Sequence, residues 1–495
     1  MATPTPPIAF GTAPVARSVH LSTSCVAADA FLGDLAATGA EVLADVTTTM
    51  DASRDWWPLA MAWALQGEVA AAAGAVVRPH DAAQVAAVLR VCAAHRLPVT
   101  PAAGRSGVCG ASVPLNGGIV LDMTAMAGIV AIDDDALVLE VLPGTFGHEL
   151  EADLRARGYT LGHWPQSMEL STVGGWLACR SAGQYSTRYG KIEQMVVGLE
   201  VVLADGRTIR TGGFPAGATG PDLTQLFVGS EGTLGIVTRA WLRLHPLAPA
   251  ERRGAWSFAT FAAGTDACRR ILRRGATPAV LRLYDEVESK RSHGTTGVAN
   301  LLVLDEGDAG LIDATMAIVA EECDRAGATT ADLDLVEKWL HHRNDVSALE
   351  SLTHKGFVVD TMEVAAPWGA IDALFDGVHA AMMAVPHARA ATCHLSHSYT
   401  DGACLYFTFA ATPPAGERDA TYVALWDAGQ RAALALGANL SHHHGVGLNR
   451  GRFMAEALGP AHDVLWSLKR SLDPDNLLNP GKLGFPPFAG EIAWP

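Results

Sequence analysis

The sequence predicts an α+β protein built as two main domains, and three observations carry that reading. A βαβ pattern opens at Val76 and gives way to antiparallel strand signals. An irregular, glycine-rich stretch then runs from Leu161 to Gly190. Beyond Pro249 the pattern changes to alternating helices and strands, which reads as an α/β substrate or cap domain. At 495 residues the chain exceeds what one hydrophobic core serves. The expected divisions are an N-terminal helical segment (1–75), a first domain (76–247), a cap domain (248–455) and a tail (456–495) that returns to the first domain.

Taken in order, AVVRP reads as a strand stopped by Pro79, and Asp81 can cap a helix whose apolar face is Val85, Val88, Leu89 and Cys92. LPVTP, GGIVLDM, IVAID and ALVLEV read as further strands, the last two joined by a tight turn at Asp133-Asp134-Asp135. ELEADLRARG is helical, and VVGLEVVLADGRTIRTGG is a hairpin turning at Asp205-Gly206. Past the boundary come a helix in FAAGTDACRRIL, strands in AVLRLYD and LLVLDEG, and a long helix from Ile312. Upstream, DWWPLAMAWALQG has close to helical spacing. It reads as a helix packed on the core, with a lipid-contacting face as the alternative.

Composition narrows the function. With 49% hydrophobic and 18% charged residues and no low-complexity block, the chain is globular. A net charge of −16 and the lack of any basic stretch exclude a nucleic-acid binder. The eight cysteines (Cys25, Cys92, Cys109, Cys179, Cys268, Cys323, Cys393, Cys404) form no CxxC pair and read as free thiols in a reducing compartment. The start MATPTPPIAFGTAPVARSV lacks the charged-then-apolar order of a secretory signal, and no apolar run is long enough to span a bilayer. A cytoplasmic location is the expectation.

Three segments carry chemistry. Gly104-Arg105-Ser106-Gly107-Val108-Cys109-Gly110 follows a strand directly, and glycines there let backbone N–H groups line a concave anion site suited to a pyrophosphate. Neither GxGxxG after a strand nor GxxxxGK[ST] occurs, so the usual dinucleotide and P-loop readings fail. The second segment is GHWPQSMELSTVGGWLACRSAGQYSTRYGKIEQMV, a length of irregular chain that is usually functional inside a compact domain. The third is GSEGTLGIVT.

In this order and spacing the three segments resemble the vanillyl-alcohol-oxidase and p-cresol-methylhydroxylase (PCMH) family of FAD enzymes. The resemblance implies the two-domain PCMH/VAO-type FAD-binding fold, with Gly104, Arg105, Ser106 and Gly107 cradling the pyrophosphate. It implies that Pro165, Ser167, Thr172, Gly175, Ala182 and Gly183 line the flavin, and that Glu231 and Ile236 lie near the adenine end. Since the pyrophosphate loop offers only Cys109 for a covalent link, the FAD is expected to be non-covalent.

The second half carries CHLSHSYTDGACLYFTFA and NLSHHHGVGLNR. If the triple histidine is extended, His442 and His444 face one way and His443 the other. With GKIEQMVV, TGPDLTQLFVGSEGTLG and PAVLRLYD, these stretches resemble the alkyldihydroxyacetonephosphate synthase branch of that family. Such enzymes exchange an acyl group for a fatty alcohol through an adduct at flavin N5, in ether-lipid synthesis. The resemblance then implies Tyr406 as the proton-transfer residue, His442, His443 and His444 lining the reacting carbon, and Arg343 near flavin N5. His163 and Thr172 would flank the ring, and Arg282 matches a structural arginine of the family. Leu448 stands where the family has lysine, while Arg450 remains. The implied partners are a small-molecule or lipid-like substrate, with peripheral membrane contact and a homodimer, and no nucleic acid. The alternative is an FAD-dependent oxidoreductase, a dehydrogenase or oxidase acting on a D-2-hydroxy acid or an alcohol. His394 and His397 are the candidate ligands for a metal in that case, but the segment lacks the carboxylate such sites use, so no metal is expected. A binding module without activity is the third reading, and Tyr406, Arg343 and the histidine run speak against it.

Overall fold

The structure is a computed structural model that describes residues 20–21, 26–345 and 352–494. Cys25 lies outside the described residues. Strands β1 (Glu41–Leu43), β2 (Ala75–Arg78), β3 (Val99–Ala102) and β4 (Ile119–Asp122) form a sheet in the order β1-β2-β4-β3. Both β2 and β3 run parallel to β4, and the crossover is the helix Ala82–His95. The Asp81 side chain accepts from the Gln84 N–H at 2.8 Å and starts that helix, and Arg96 in the left-handed region (φ 52°) ends it. Val85, Val88, Leu89 and Cys92 face the core, as their spacing requires.

Next come β5 (Ile129–Asp133), β6 (Val138–Val141), β7 (Tyr159–Thr160), β8 (Val196–Val202), β9 (Thr208–Gly212), β10 (Ile236–Arg243) and β11 (His245–Pro246). All but β7 and β11 make one antiparallel sheet, β5-β6-β10-β8-β9, and those two pair with each other. Asp205 and Gly206 (φ 81°) turn the β8–β9 hairpin. The stretch 161–190 is less irregular than its glycines suggest. It holds the short helices Val173–Cys179 and Ser186–Tyr189, the first capped by Thr172, whose Oγ1 accepts from the Gly175 N–H. Two glycines in its first turn mask a helix that tertiary packing of Val173, Trp176 and Leu177 holds in place.

The third sheet comprises β12 (Ala250–Phe258), β13 (Val280–Tyr284), β14 (Ala299–Gly307), β15 (Thr329–Thr330), β16 (Val358–Pro367), β17 (Ala388–Ser398) and β18 (Gly402–Ala411), in the order β15-β12-β14-β13-β17-β18-β16. Helices Phe261–Arg273, Ala309–Arg325, Ile371–Met383 and Arg418–Ala435 pack against it. Alternation along β18 decides what faces them. Leu405, Phe407 and Phe409 enter this helix-covered core, so Tyr406 and Thr408 point to the other side.

The Trp-rich segment DWWPLAMAWALQG forms the helix Pro58–Ala64, and it is core rather than a lipid-facing surface. Trp57 and Trp63 are fully buried, and their indole N–H groups donate to the Tyr422 hydroxyl (2.9 Å) and Asp419 (2.7 Å). The seven described cysteines are free, and all but Cys179 are buried. No helix among the described residues is long and apolar enough to cross a membrane. The tail reaches back to the first sheet. Val99 N–H donates to Leu477 O, Asn479 N–H donates to Val99 O, and Lys482 Nζ donates to Val113 O.

Candidate active site

A cavity of about 880 Å³ lies where the three sheets meet, large for a ligand site. Its first wall is the loop 104–109 that leaves β3. Here glycine is a packing requirement: a Cβ on Gly104 would collide with the Leu170 carbonyl, and one on Gly232 with the Pro101 ring. Gly107 differs. A Cβ there meets only Asp55 Oδ2, at 3.8 Å, so this backbone borders open space. Arg105 takes a left-handed φ of 51° and turns its guanidinium to Asp51 (Nη2–Oδ2 3.0 Å), lending the cavity backbone rather than charge. Pro165, Ser167, Thr172, Gly175, Ala182, Glu231 and Ile236 line the cavity as well. Gln184 Oε1, Ser396 Oγ and Arg343 Nη1 border it, buried and without a partner among the described residues.

The opposite wall comes from β13, β16, β17, β18 and the loop after Leu440. Tyr406 donates to Thr361 Oγ1 at 3.0 Å and stacks on His394 with ring centroids 4.8 Å apart. Burial pushes its phenol pKa up, so the hydroxyl is held protonated. His394 sits between Arg282 (Nη2 to Nε2, 2.6 Å) and the Glu288 carboxylate (Nδ1 to Oε2, 3.1 Å). Burial, assisted by Arg282, pushes the His394 pKa down to about 4. Arg343 lies over the rings of Trp164, Tyr185 and Trp339 at 5.2–5.5 Å.

Residues 441–445 form a bend rather than an extended strand, and this overturns the alternation expected for the three histidines. His443 and His444 face the cavity, whereas His442 turns behind the wall, with Nε2 at 2.8 Å from the Tyr399 hydroxyl. Two buried carboxylates impose the bend. Glu363 accepts the N–H groups of His443 and His444, and Glu231 accepts those of Val446 and Gly447. Burial pushes the Glu231 pKa up to about 7 and that of nearby Lys482 down to about 7.

Residues 73–212 match the FAD binding domain family, and residues 247–483 match the C-terminal domain of FAD linked oxidases. An uncharacterized FAD-linked oxidoreductase of Escherichia coli K12, YgcU, is 32% identical over 432 residues, which cover 83% of this chain and 88% of that protein. The chain belongs to the FAD-linked oxidase family. The alkyldihydroxyacetonephosphate synthase of Dictyostelium discoideum is 29% identical over 455 residues, covering 84% of this chain and 74% of that protein. A solved structure of an alkyldihydroxyacetonephosphate synthase superposes with a TM-score of 0.77 at 24% identity, covering 96% of this chain and 90% of that one. p-Cresol methylhydroxylase superposes with 0.73 at 18%, covering 94% and 99%. The fold is the PCMH/VAO type, the protein is an enzyme, and its cofactor is FAD.

The residues of this FAD-linked oxidase fit that group. The glycine loop, open at Gly107, and the unpartnered Gln184 and Arg343 atoms border one continuous cavity. Two expected lining residues stand apart from it. His163 is fully buried behind the wall, edge-on to Trp176, and its Nε2 lies 2.7 Å from Ser181 Oγ, so Ser181 is the residue that reaches the cavity. Gly183 also lies behind the wall, where a Cβ would strike the Trp164 backbone. Leu448 packs in the core, with its N–H on Cys109 O, so the departure from lysine removes no charge from the cavity. Sequence reasoning missed Glu288, Lys338, Thr361 and Glu363. Only Glu363 left a signal, as an acidic residue inside the apolar strand VVDTMEVAAP.

Proposed function

We propose that this FAD-linked oxidase exchanges an acyl group for a fatty alcohol on a phosphorylated ketone, the reaction of alkyldihydroxyacetonephosphate synthase. One observation carries the reading: the cavity has an amphiphilic lining. Leu352, Val359 and Ala390 offer it an apolar surface suited to an alkyl chain, and Arg282, Arg291, Lys338 and Arg343 offer cations suited to a phosphate. Tyr406, His443 and His444 line the same space.

When bound, FAD supplies an electron-accepting ring beside the reacting carbon. In this reading Gly104, Ser106 and Gly107 hold the pyrophosphate, and FAD is bound without a covalent link, since burial raises the Cys109 thiol well above its usual pKa and keeps it protonated. Glu231 and Ile236 border the adenine end. Tyr406, protonated at rest, acts first as a proton donor to the departing oxygen. His443, neutral through burial, takes the proton of the entering alcohol. Arg343 balances negative charge over the ring. The domain limits 76–247, 248–455 and 456–495 belong to the reading, supported by the tail's bonds to Val99 and Val113. So do a cytoplasmic location, contact with a lipid surface to collect the alcohol, and a homodimer.

A second reading is oxidation of a D-2-hydroxy acid, favoured by the Arg282–His394–Glu288 chain on the cavity wall, which holds a guanidinium suited to a carboxylate through a neutral imidazole. Anaerobic titration separates the two. Exchange of acyl-dihydroxyacetone phosphate with hexadecanol without bleaching supports the synthase reading. Bleaching by a D-2-hydroxy acid, with no exchange, refutes it.

A further inference from the structure

The indole N–H groups of Trp57, Trp63, Trp176, Trp368 and Trp426 each donate to an oxygen at 2.7–3.0 Å: Tyr422 and Ser171 hydroxyls, Asp419 and Asp360 carboxylates, and the Tyr399 carbonyl. Trp56 is the exception. The residue is 5% exposed, and its Nε1 is buried without a partner among the described residues. An indole N–H can only donate, and one left without an acceptor in the interior is costly. Its neighbour Trp57 packs into the core, whereas Trp56 lines the cavity.

The chain around Trp56 grips the glycine loop from outside. Trp56 N–H donates to Gly107 O at 2.9 Å, Ser112 N–H donates to Asp55 Oδ2 at 3.4 Å, and the Arg105 guanidinium reaches both the carbonyl and the carboxylate of Asp51. This strap, residues 51–56, lies upstream of the FAD binding domain proper. We infer that Trp56 is a cofactor-binding residue whose Nε1–H donates to the FAD pyrophosphate where the glycine loop holds it. The inference rests on the reading that Gly104, Ser106 and Gly107 hold that group. Two observations select an anion as the acceptor. Trp56 is tied to Gly107, the loop residue whose backbone borders open space, so its indole shares the wall on which the pyrophosphate is placed. Arg105, the cation of the loop, is spent on Asp51, which leaves neutral N–H donors to hold the phosphates. A hydrogen bond to an ionised oxygen is stronger than one between neutral groups, so a single N–H there contributes appreciably to retention. Asp55, beside Gly107, is the carboxylate that opposes an anion. Burial eases this by pushing its pKa up to about 6, so that a proton there costs little near neutral pH.

Trp56→Phe keeps an aromatic ring and the backbone bond to Gly107 and removes the indole N–H. Release of FAD from the diluted holoenzyme, followed by the rise in flavin fluorescence, should be about 10–100-fold faster than in the wild type. The ³¹P resonances of bound FAD should move for at least one of its two phosphates. Wild-type release overturns the assignment. So do unmoved ³¹P signals, even with faster release, because lost packing alone would loosen the cofactor without touching its phosphates. A second measurement needs no variant: in the wild-type holoenzyme labelled with ¹⁵N-tryptophan, one indole nitrogen should show a coupling to ³¹P through the hydrogen bond, and a set of indoles with none overturns the assignment. Gly107→Asp separates this inference from the reading beneath it. Faster release and moved ³¹P signals in Trp56→Phe, with Gly107→Asp still loaded, would keep the Trp56 bond and remove the loop. Loss of FAD in Gly107→Asp, with Trp56→Phe indistinguishable from wild type, would do the reverse.

Discussion

Glu363 holds His444 twice: Oε1 accepts its backbone N–H at 2.8 Å, and Oε2 lies 2.9 Å from its ring Nδ1. The same carboxylate accepts from Ser441 Oγ at 2.8 Å and pairs with Arg450, both ions fully buried. Burial opposes its charge, yet Arg450 and His444 beside it hold the carboxyl well below the usual range. Glu363→Ala leaves the Arg450 cation and two backbone N–H groups without their acceptor. The expected loss of stability is about 3–5 kcal/mol, read from urea unfolding of the holoenzyme. A loss under about 1 kcal/mol would mean that the pair behaves as a surface ion pair.

The second prediction concerns attachment of the cofactor. Acid precipitation should release the yellow colour into the supernatant, at one FAD per chain. Colour retained in the pellet would establish a covalent link.

Gly107 separates a phosphate-binding loop from an ordinary turn. Gly107→Asp fits sterically, because only Asp55 Oδ2 is near, at 3.8 Å. It places a carboxylate where the proposed pyrophosphate lies, and like-charge repulsion should abolish flavin retention while the fold persists. The ratio of flavin to protein absorbance tests it, and wild-type occupancy would move the phosphates elsewhere.

Tyr406→Phe removes one hydroxyl bonded only to Thr361 among the described residues. Folding and FAD content should survive, while turnover falls about 10²–10⁴-fold. His443→Ala and His444→Ala should match it in severity, since both rings face the cavity. The bend at 441–445 turns His443 to the cavity, where an extended run would have made it the control.

His163 should leave a signature in acid. Burial pushes its pKa down to about 3 in the folded chain, from about 6.5 unfolded. Between those values the unfolded chain binds a proton that the native one does not, so stability is full above pH 6.5 and declines toward pH 3. His163→Gln should flatten this slope by up to one proton relative to wild type, measured by urea unfolding at pH 7 and pH 5. Equal slopes would mean that His163 is solvated in the native state.

The parts of the fold written in local pattern were legible. The helix after Asp81 and the Asp205-Gly206 hairpin follow from cap, turn and period, and both formed where their residues place them. Thr172 shows the limit. Its helix is short and carries two glycines right after its first residue, so only packing reveals it. The orientation of the histidine loop was hidden for a similar reason, because the carboxylates that bend it, Glu231 and Glu363, come from sequence positions far away. Glu288, which meets His394 on the next strand pair, had no spacing to betray it.

The ties from Glu231 to Val446 and Gly447, and from Cys109 to Leu448 and Asn449, splice the glycine loop and the histidine loop into a single mechanical unit. FAD seated against the glycine loop would therefore also bear on the histidine loop, and any such coupling is reciprocal. Free FAD should then raise the resistance of the whole chain to urea, by an amount that grows with its concentration.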